Sequence, residues 1–78
     1  MELKIGELYR YNPGFKEMLF AVTNKREYLC DIPTNSVVMI LEVKTQPSDT
    51  RYNNIKILYE NKVGWLVYVI SDDFERLS

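Results

Sequence analysis

The fold of this chain is decided by the stretch Ile55-Lys56-Ile57-Leu58-Tyr59-Glu60-Asn61-Lys62-Val63-Gly64-Trp65-Leu66-Val67. Both of its arms are rich in β-branched and aromatic residues, which favour strands, and the polar residues 60–62 separate them. Two strand-like arms around a short polar break predict a β-hairpin. Alternation along the first arm puts Ile55, Ile57 and Tyr59 on one face of its strand.

Upstream of this hairpin, residues 37–44 give the strongest prediction of a strand. The odd-numbered positions from Val37 to Val43 are all apolar, so we expect that face to be core. The even-numbered positions turn polar at Glu42 and Lys44, which is typical of a strand that bends out towards solvent.

The N-terminal part of the chain contains a first strand and a region with two interpretations. Apolar and aromatic residues predict the strand near residues 7–11, and Asn12-Pro13-Gly14 ends it with type II turn chemistry. Residues 15–32 combine helical spacing with strand-like alternation. We favour an irregular hairpin over a helix, because the run is short and has no capping residue.

The C-terminal part contains a loop, a short turn and a last strand. Residues 45–51 have loop composition, and Ser71-Asp72-Asp73 suits a single helical or 3₁₀ turn. Phe74-Glu75-Arg76-Leu77 is the last short strand. We therefore predict one all-β domain over residues 1–78, a small five- to six-stranded barrel with a short 3₁₀ or helical turn before the last strand.

Composition and charge argue against several kinds of partner. Ten Lys and Arg face eleven Asp and Glu, so the chain lacks the strong positive field that nucleic-acid binding usually needs. No apolar run approaches the roughly 20 residues that span a bilayer, so we expect no membrane partner. The single cysteine, Cys30, is interpreted as a small buried apolar side chain. We expect a cytoplasmic protein, in a host cytoplasm if the chain is virus-encoded, for example by a phage with an AT-rich genome.

The residues of catalytic and metal sites are missing or badly spaced. The chain has no histidine, and its three glycines are too far apart for a phosphate loop. Glu42 and Glu60 are better explained as solvated carboxylates than as a catalytic pair. The acidic residues near position 72 lack the spaced oxygen ligands of a calcium loop. We expect no enzyme activity, no metal and no cofactor.

The aromatic side chains are the remaining candidates for function. Tyr9 and Tyr11 share one face of the first strand, either as an exposed stacking ridge or as packing in the barrel wall. Both faces of the strand around Trp65 are apolar enough to be buried, so Trp65 belongs either to the core or to a partner-facing surface. The candidate binding residues are Tyr9, Tyr11, Tyr52, Trp65 and Tyr68.

Short motifs in chain order resemble the Src homology 3-like small barrels of bacterial type. Leu8-Tyr9-Arg10-Tyr11 resembles the Leu-Tyr-Asp-Tyr that opens many of these domains, and Val63-Gly64-Trp65-Leu66 resembles their fourth strand. Residues 12–35 correspond to the first, hairpin-like loop, residues 37–44 to the second strand and Ile55–Leu66 to the tight distal hairpin. Phe74–Leu77 corresponds to the closing strand.

The resemblance implies a non-catalytic module that binds a protein or peptide partner. Polyproline-binding members carry a Trp after the second loop and a Pro after the fourth strand, where this chain has Tyr52-Asn53-Asn54 and Val67. These departures argue against polyproline as the ligand. Two alternatives stay open. The first is a structural subunit that forms a homo-oligomer. The second, less favoured, is a nucleic-acid-binding barrel, because a local basic patch can exist on a chain whose net charge is close to zero.

Overall fold

The fold is all-β, as the sequence predicts. The computed structural model describes residues 3–12, 25 and 27–77, together with the backbone of residues 19–22. The strands are β1 (Leu8–Tyr11), β2 (Leu19–Val22), β3 (Tyr28–Ile32), β4 (Ser36–Thr45), β5 (Asn53–Tyr59), β6 (Lys62–Val69) and β7 (Phe74–Arg76). A 3₁₀ turn at Ser71–Asp73 precedes β7, which confirms the predicted short turn before the last strand.

The strands form one antiparallel sheet in the order β3-β2-β6-β5-β4-β1-β7. Within the described residues it has seven strands, whereas the sequence predicted five or six, because the region 15–32 contributes two of them, β2 and β3, which pair as a hairpin with an irregularity at Ala21/Val22. The favoured hairpin is thus confirmed for the part described. Residues 13 and 14 of the predicted type II turn, and residues 15–18 of the ambiguous region, lie outside the described residues.

The sheet is rolled around a single core. Ile32 from one outer strand and Phe74 from the other are each 1% exposed and belong to the same buried cluster. The Cα extents of 29, 29 and 26 Å are nearly equal, whereas a flat single sheet would be thin in one direction. The two ends of the sheet therefore curve towards each other, which gives a small barrel with a concave, apolar inside. The core residues are Tyr9, Tyr11, Ile32, Val38, Ile40, Ile55, Ile57, Leu66, Val69 and Phe74.

The core face of β4 differs from the prediction. Val37 is 42% exposed and Met39 half-buried, whereas the neighbouring even-numbered positions Val38 and Ile40 are fully buried. A bulge between Ile40 and Glu42 explains the difference, because an extra residue shifts the alternation by one. Beyond the bulge Val43 packs against the core, so the odd-numbered apolar residues are divided between the two faces.

The predicted hairpin of residues 55–67 is present as β5 and β6. Tyr59 pairs with Lys62, so the connection consists of Glu60 and Asn61, with φ angles of 47° and 64°. Positive φ at both central residues is the signature of a type I′ turn, whose twist matches that of the flanking strands. The hairpin therefore forms with a tight turn, although Glu60 is not a residue that favours positive φ.

Candidate functional site

The structure separates the five candidate residues into two groups. Tyr9 and Tyr11 are 1% and 0% exposed, so of their two interpretations the exposed ridge for a partner is wrong and packing in the core is confirmed. Both pack on Phe74, with ring centroids 6.4 Å away for Tyr9 and 4.7 Å away for Tyr11. Both lie on the face of β1 that turns towards the core, and β1 itself lies between β4 and β7 in the sheet.

The other three candidates, Tyr52, Trp65 and Tyr68, are all accessible. Tyr52 and Tyr68 lie at the end of the β5–β6 pair that is away from its turn, and Trp65 lies midway along the pair. Tyr68 is 60% exposed, while Tyr52 and Trp65 are half-buried. The rings of Tyr52 and Tyr68 form an edge-to-face pair with centroids 6.1 Å apart. We call Tyr52, Trp65 and Tyr68, together with Lys44, the aromatic face.

A backbone irregularity turns Tyr68 outwards. Ile55 pairs with Leu66 and Asn53 with Val69, so β6 has one residue more than β5 in this interval. The extra residue forms a bulge in which Tyr68 has a φ of 56°, a left-handed conformation that is rare for a bulky side chain. The Tyr68 N–H donates to Asn54 Oδ1 at 3.2 Å, and that oxygen also accepts from Gln46 Nε2 at 2.6 Å. The bulge exposes Tyr68 without leaving its N–H unpaired.

Trp65 lies under a cation in the middle of the sheet. Its strand register places it opposite Lys56, on the face away from the core residue Leu66. The Lys44 Nζ lies 5.3 Å from the centre of the Trp65 ring, within the range of a cation–π contact. The same ammonium lies 3.4 Å from Glu42 Oε2, so its charge is partly balanced. Trp65 is therefore a half-buried indole whose position is fixed in part by its contact with Lys44.

Tyr52 is positioned by the loop between β4 and β5. Arg51 donates from Nε and Nη2 to the two carboxylate oxygens of Asp49, at 3.0 and 2.7 Å. This paired guanidinium holds the pKa of the Asp49 carboxyl below its usual value. The Arg51 Cζ lies 5.6 Å from the centre of the Tyr52 ring, and the backbone N–H of Gln46 donates to the Tyr52 carbonyl. These contacts fix the loop end that carries Tyr52.

A row of apolar side chains continues from the aromatic face across four strands. Direct strand partners on the outer surface are Leu8 with Met39, Met39 with Leu58, and Leu58 with Val63. Leu8 and Val63 are 47% and 49% exposed, and the two residues between them are half-buried. We call these four residues the apolar row. The sequence did not identify it, because alternation alone cannot tell which side of a strand is solvent-facing when both sides are apolar.

The candidate carboxylates and cysteine have other surroundings. Glu60 lies in the β5–β6 turn, whereas Glu42 lies opposite Lys56 in the strand register. Cys30 is partly buried against the core. Among residues 3–12, 19–22, 25 and 27–77, no three His, Cys, Asp or Glu residues are grouped as a metal site would require.

The comparisons give no relative from which a function could be transferred. The chain matches no protein-family model, no curated protein and no solved structure. In the described part of the chain, no helix has the length and apolar character needed to cross a membrane. The functional inference therefore rests on the aromatic face and the apolar row.

Proposed function

We propose that this chain is a non-catalytic protein-interaction module that binds its partner through the aromatic face. The single observation that carries this proposal is the Tyr52–Tyr68 ring pair, in which Tyr68 is 60% exposed and held at positive φ. A strained, exposed aromatic residue is costly unless its position has a use. Tyr and Trp dominate the energetics of protein interfaces, so a protein or peptide partner fits this surface. A cytoplasmic setting is part of the same proposal.

A Src homology 3-like fold is part of the same proposal. The elements follow, in chain order, the parts that the sequence resemblance assigns: β1, the β2–β3 hairpin, the long β4, the tight β5–β6 hairpin, the 3₁₀ turn and β7. The pairing of β1 with both β4 and β7 supports it, because this pairing joins the two ends of the chain around one core. Nuclear Overhauser contacts between β1 and both neighbours are expected in solution, and their absence would contradict the proposal.

The variant Tyr68→Asn tests the binding surface. Asn tolerates a left-handed backbone, so the substitution relieves part of the roughly 1–2 kcal/mol of strain at this position. Loss of the Tyr52–Tyr68 ring pair costs about 0.5–1.5 kcal/mol in the opposite direction. The free energy of unfolding should therefore change little. Peptides selected on the wild-type protein from a random twelve-residue display library should bind Tyr68→Asn at least tenfold more weakly.

The matched control is Tyr28→Asn. Tyr28 is 61% exposed, almost the same as Tyr68, but it is not part of the aromatic face: it lies on the edge strand β3, two strands away from Trp65, where its hydroxyl donates to Asp31. Peptide affinity should be unchanged in this variant. If both variants bind the selected peptides like the wild type, or if selection yields no peptide, the proposed binding function is wrong.

A second candidate function, a structural subunit that forms a homo-oligomer, is favoured by the apolar row. Exposed and half-buried apolar residues that continue over four strands are unusual on a small monomer, and a second copy of the chain would cover them. Sedimentation equilibrium between about 10 µM and 1 mM separates the two candidates. A dimer that Leu58→Asp dissociates would support assembly, whereas a monomer throughout would exclude it.

A further inference from the structure

We infer that the partner is a short extended peptide segment that continues from the aromatic face over the apolar row, with its apolar side chains on the row and a carboxylate paired with Lys56. This inference rests on the proposed binding function and specifies the chemistry of its ligand. The size of the surface, its curvature and its unbalanced charge each contribute to it.

The apolar row is the size of a peptide. Four strands about 4.8 Å apart span roughly 14 Å, the length of four or five extended residues at about 3.3 Å each. With the neighbouring row of Glu42, Lys56 and Trp65 the surface covers on the order of 250 Å². A stable interface between two proteins needs about 800 Å² from each partner. The area is too small for a second folded domain to be held by this surface alone.

The shape of the sheet favours the same kind of occupant. The core residues lie on the concave inside of the rolled sheet, so the apolar row lies on its convex outside. Two convex faces touch only at their crests, which reduces the contact that a second copy of this chain could make. An extended segment can follow the curvature and keep its side chains on the row.

Charge identifies the polar part of the ligand. Lys56 lies between Glu42 and Trp65 in the strand register, next to Leu58 of the row. Among the described residues it makes no ion pair, and the carboxylate of Glu42 opposite it pairs with Lys44 at 3.4 Å. Two lysines and one glutamate leave a single positive charge on this surface. Covering Lys56 with an apolar partner would bury an unpaired ammonium, whereas an Asp or Glu of the ligand would compensate it.

The experiment pans a random twelve-residue peptide display library on the full chain and measures the selected peptides by fluorescence polarisation. We expect a consensus with apolar residues flanking an Asp or Glu. Replacing that acid by its amide should weaken binding to the wild-type protein at least tenfold. In the variant Lys56→Met the acidic and amide peptides should bind equally, and in the control Lys62→Met the tenfold preference should persist.

The outcomes distinguish this inference from the function on which it rests. Selected peptides that need Tyr68 but lack an acidic residue, or that keep their preference for acid in Lys56→Met, would overturn the inference and leave the binding module standing. Failure to select any Tyr68-dependent peptide would overturn both. Salt-sensitive binding of a twelve-residue oligo(dT) probe to the same face, with no peptide selected, would instead favour the nucleic-acid alternative and would also overturn both.

Discussion

At the scale of single residues, the two tyrosines of β1 differ in what their hydroxyl groups contact. The Tyr9 hydroxyl accepts a hydrogen bond from the Lys4 N–H at 2.9 Å. The Tyr11 hydroxyl is buried and has no hydrogen-bond partner within the described part of the chain. A buried hydroxyl without a hydrogen-bond partner lowers the stability of the fold, whereas one that accepts a hydrogen bond from a backbone N–H stabilises it. The two Tyr→Phe substitutions should therefore have opposite effects.

We predict that Tyr11→Phe raises the free energy of unfolding by about 1 kcal/mol, because it removes an unsatisfied polar atom and keeps the ring that packs on Phe74. Tyr9→Phe should lower it by about 1 kcal/mol, because the Lys4 N–H loses its acceptor. Urea denaturation of the two variants and the wild type measures both effects. Equal destabilisation by both substitutions would contradict this account of the Tyr11 hydroxyl.

The same hydroxyl should make stability depend on alkaline pH. Burial, and to a smaller extent the charge of Asp73, raises the pKa of Tyr11 above its ordinary value near 10. Above about pH 10 the unfolded chain loses this proton while the native state keeps it. The native state then binds more protons, so the free energy of unfolding falls as pH rises. Urea midpoints measured between pH 8 and pH 11 should fall more steeply for the wild type than for Tyr11→Phe, and parallel curves would contradict the assignment.

At the scale of elements, the β5–β6 turn forms against the preference of one of its residues. Glu60 has a φ of 47°, and left-handed backbone costs a residue with a Cβ roughly 1–2 kcal/mol, less for Asn. We predict that Glu60→Asn raises the free energy of unfolding by about 0.5–1 kcal/mol, measured by thermal or urea denaturation. Glu60→Gln is the control, since it removes the charge without relieving the strain of the left-handed φ. An equal gain in both variants would attribute the effect to charge instead.

The positions of the strands could be predicted from the sequence, but the directions of their side chains could not. Apolar runs and polar breaks identified the β5–β6 hairpin, β4, β7 and the 3₁₀ turn. The bulges in β4 and β6 have no comparable signal, since each depends on pairing with a neighbouring strand. One of them reverses the faces of β4, so that Val38 is core and Val37 is not. The other exposes Tyr68.

At the scale of the whole molecule, the candidate site depends on curvature that no local pattern contains. Tyr9 and Tyr11 are as aromatic as Tyr52 and Tyr68, and only the closing of the sheet around β1 buries the first pair. The apolar row likewise exists only because β1, β4, β5 and β6 pair in one register. Three of the five candidate residues that were predicted from the sequence therefore lie on the accessible surface. The other two are buried because the sheet rolls around them.

The closure of the sheet depends on the short strand β7. Phe74 is 1% exposed and packs on both tyrosines of β1, so it joins the end of the chain to its beginning. Phe74→Ala should cost about 3–5 kcal/mol, a large part of the roughly 4–12 kcal/mol expected for a domain of this length. Its thermal transition, followed by circular dichroism, should fall sharply or disappear. Leu77→Ala, at a side chain that is 42% exposed, should cost under about 1 kcal/mol. If Phe74→Ala unfolds like Leu77→Ala, β7 does not close the core.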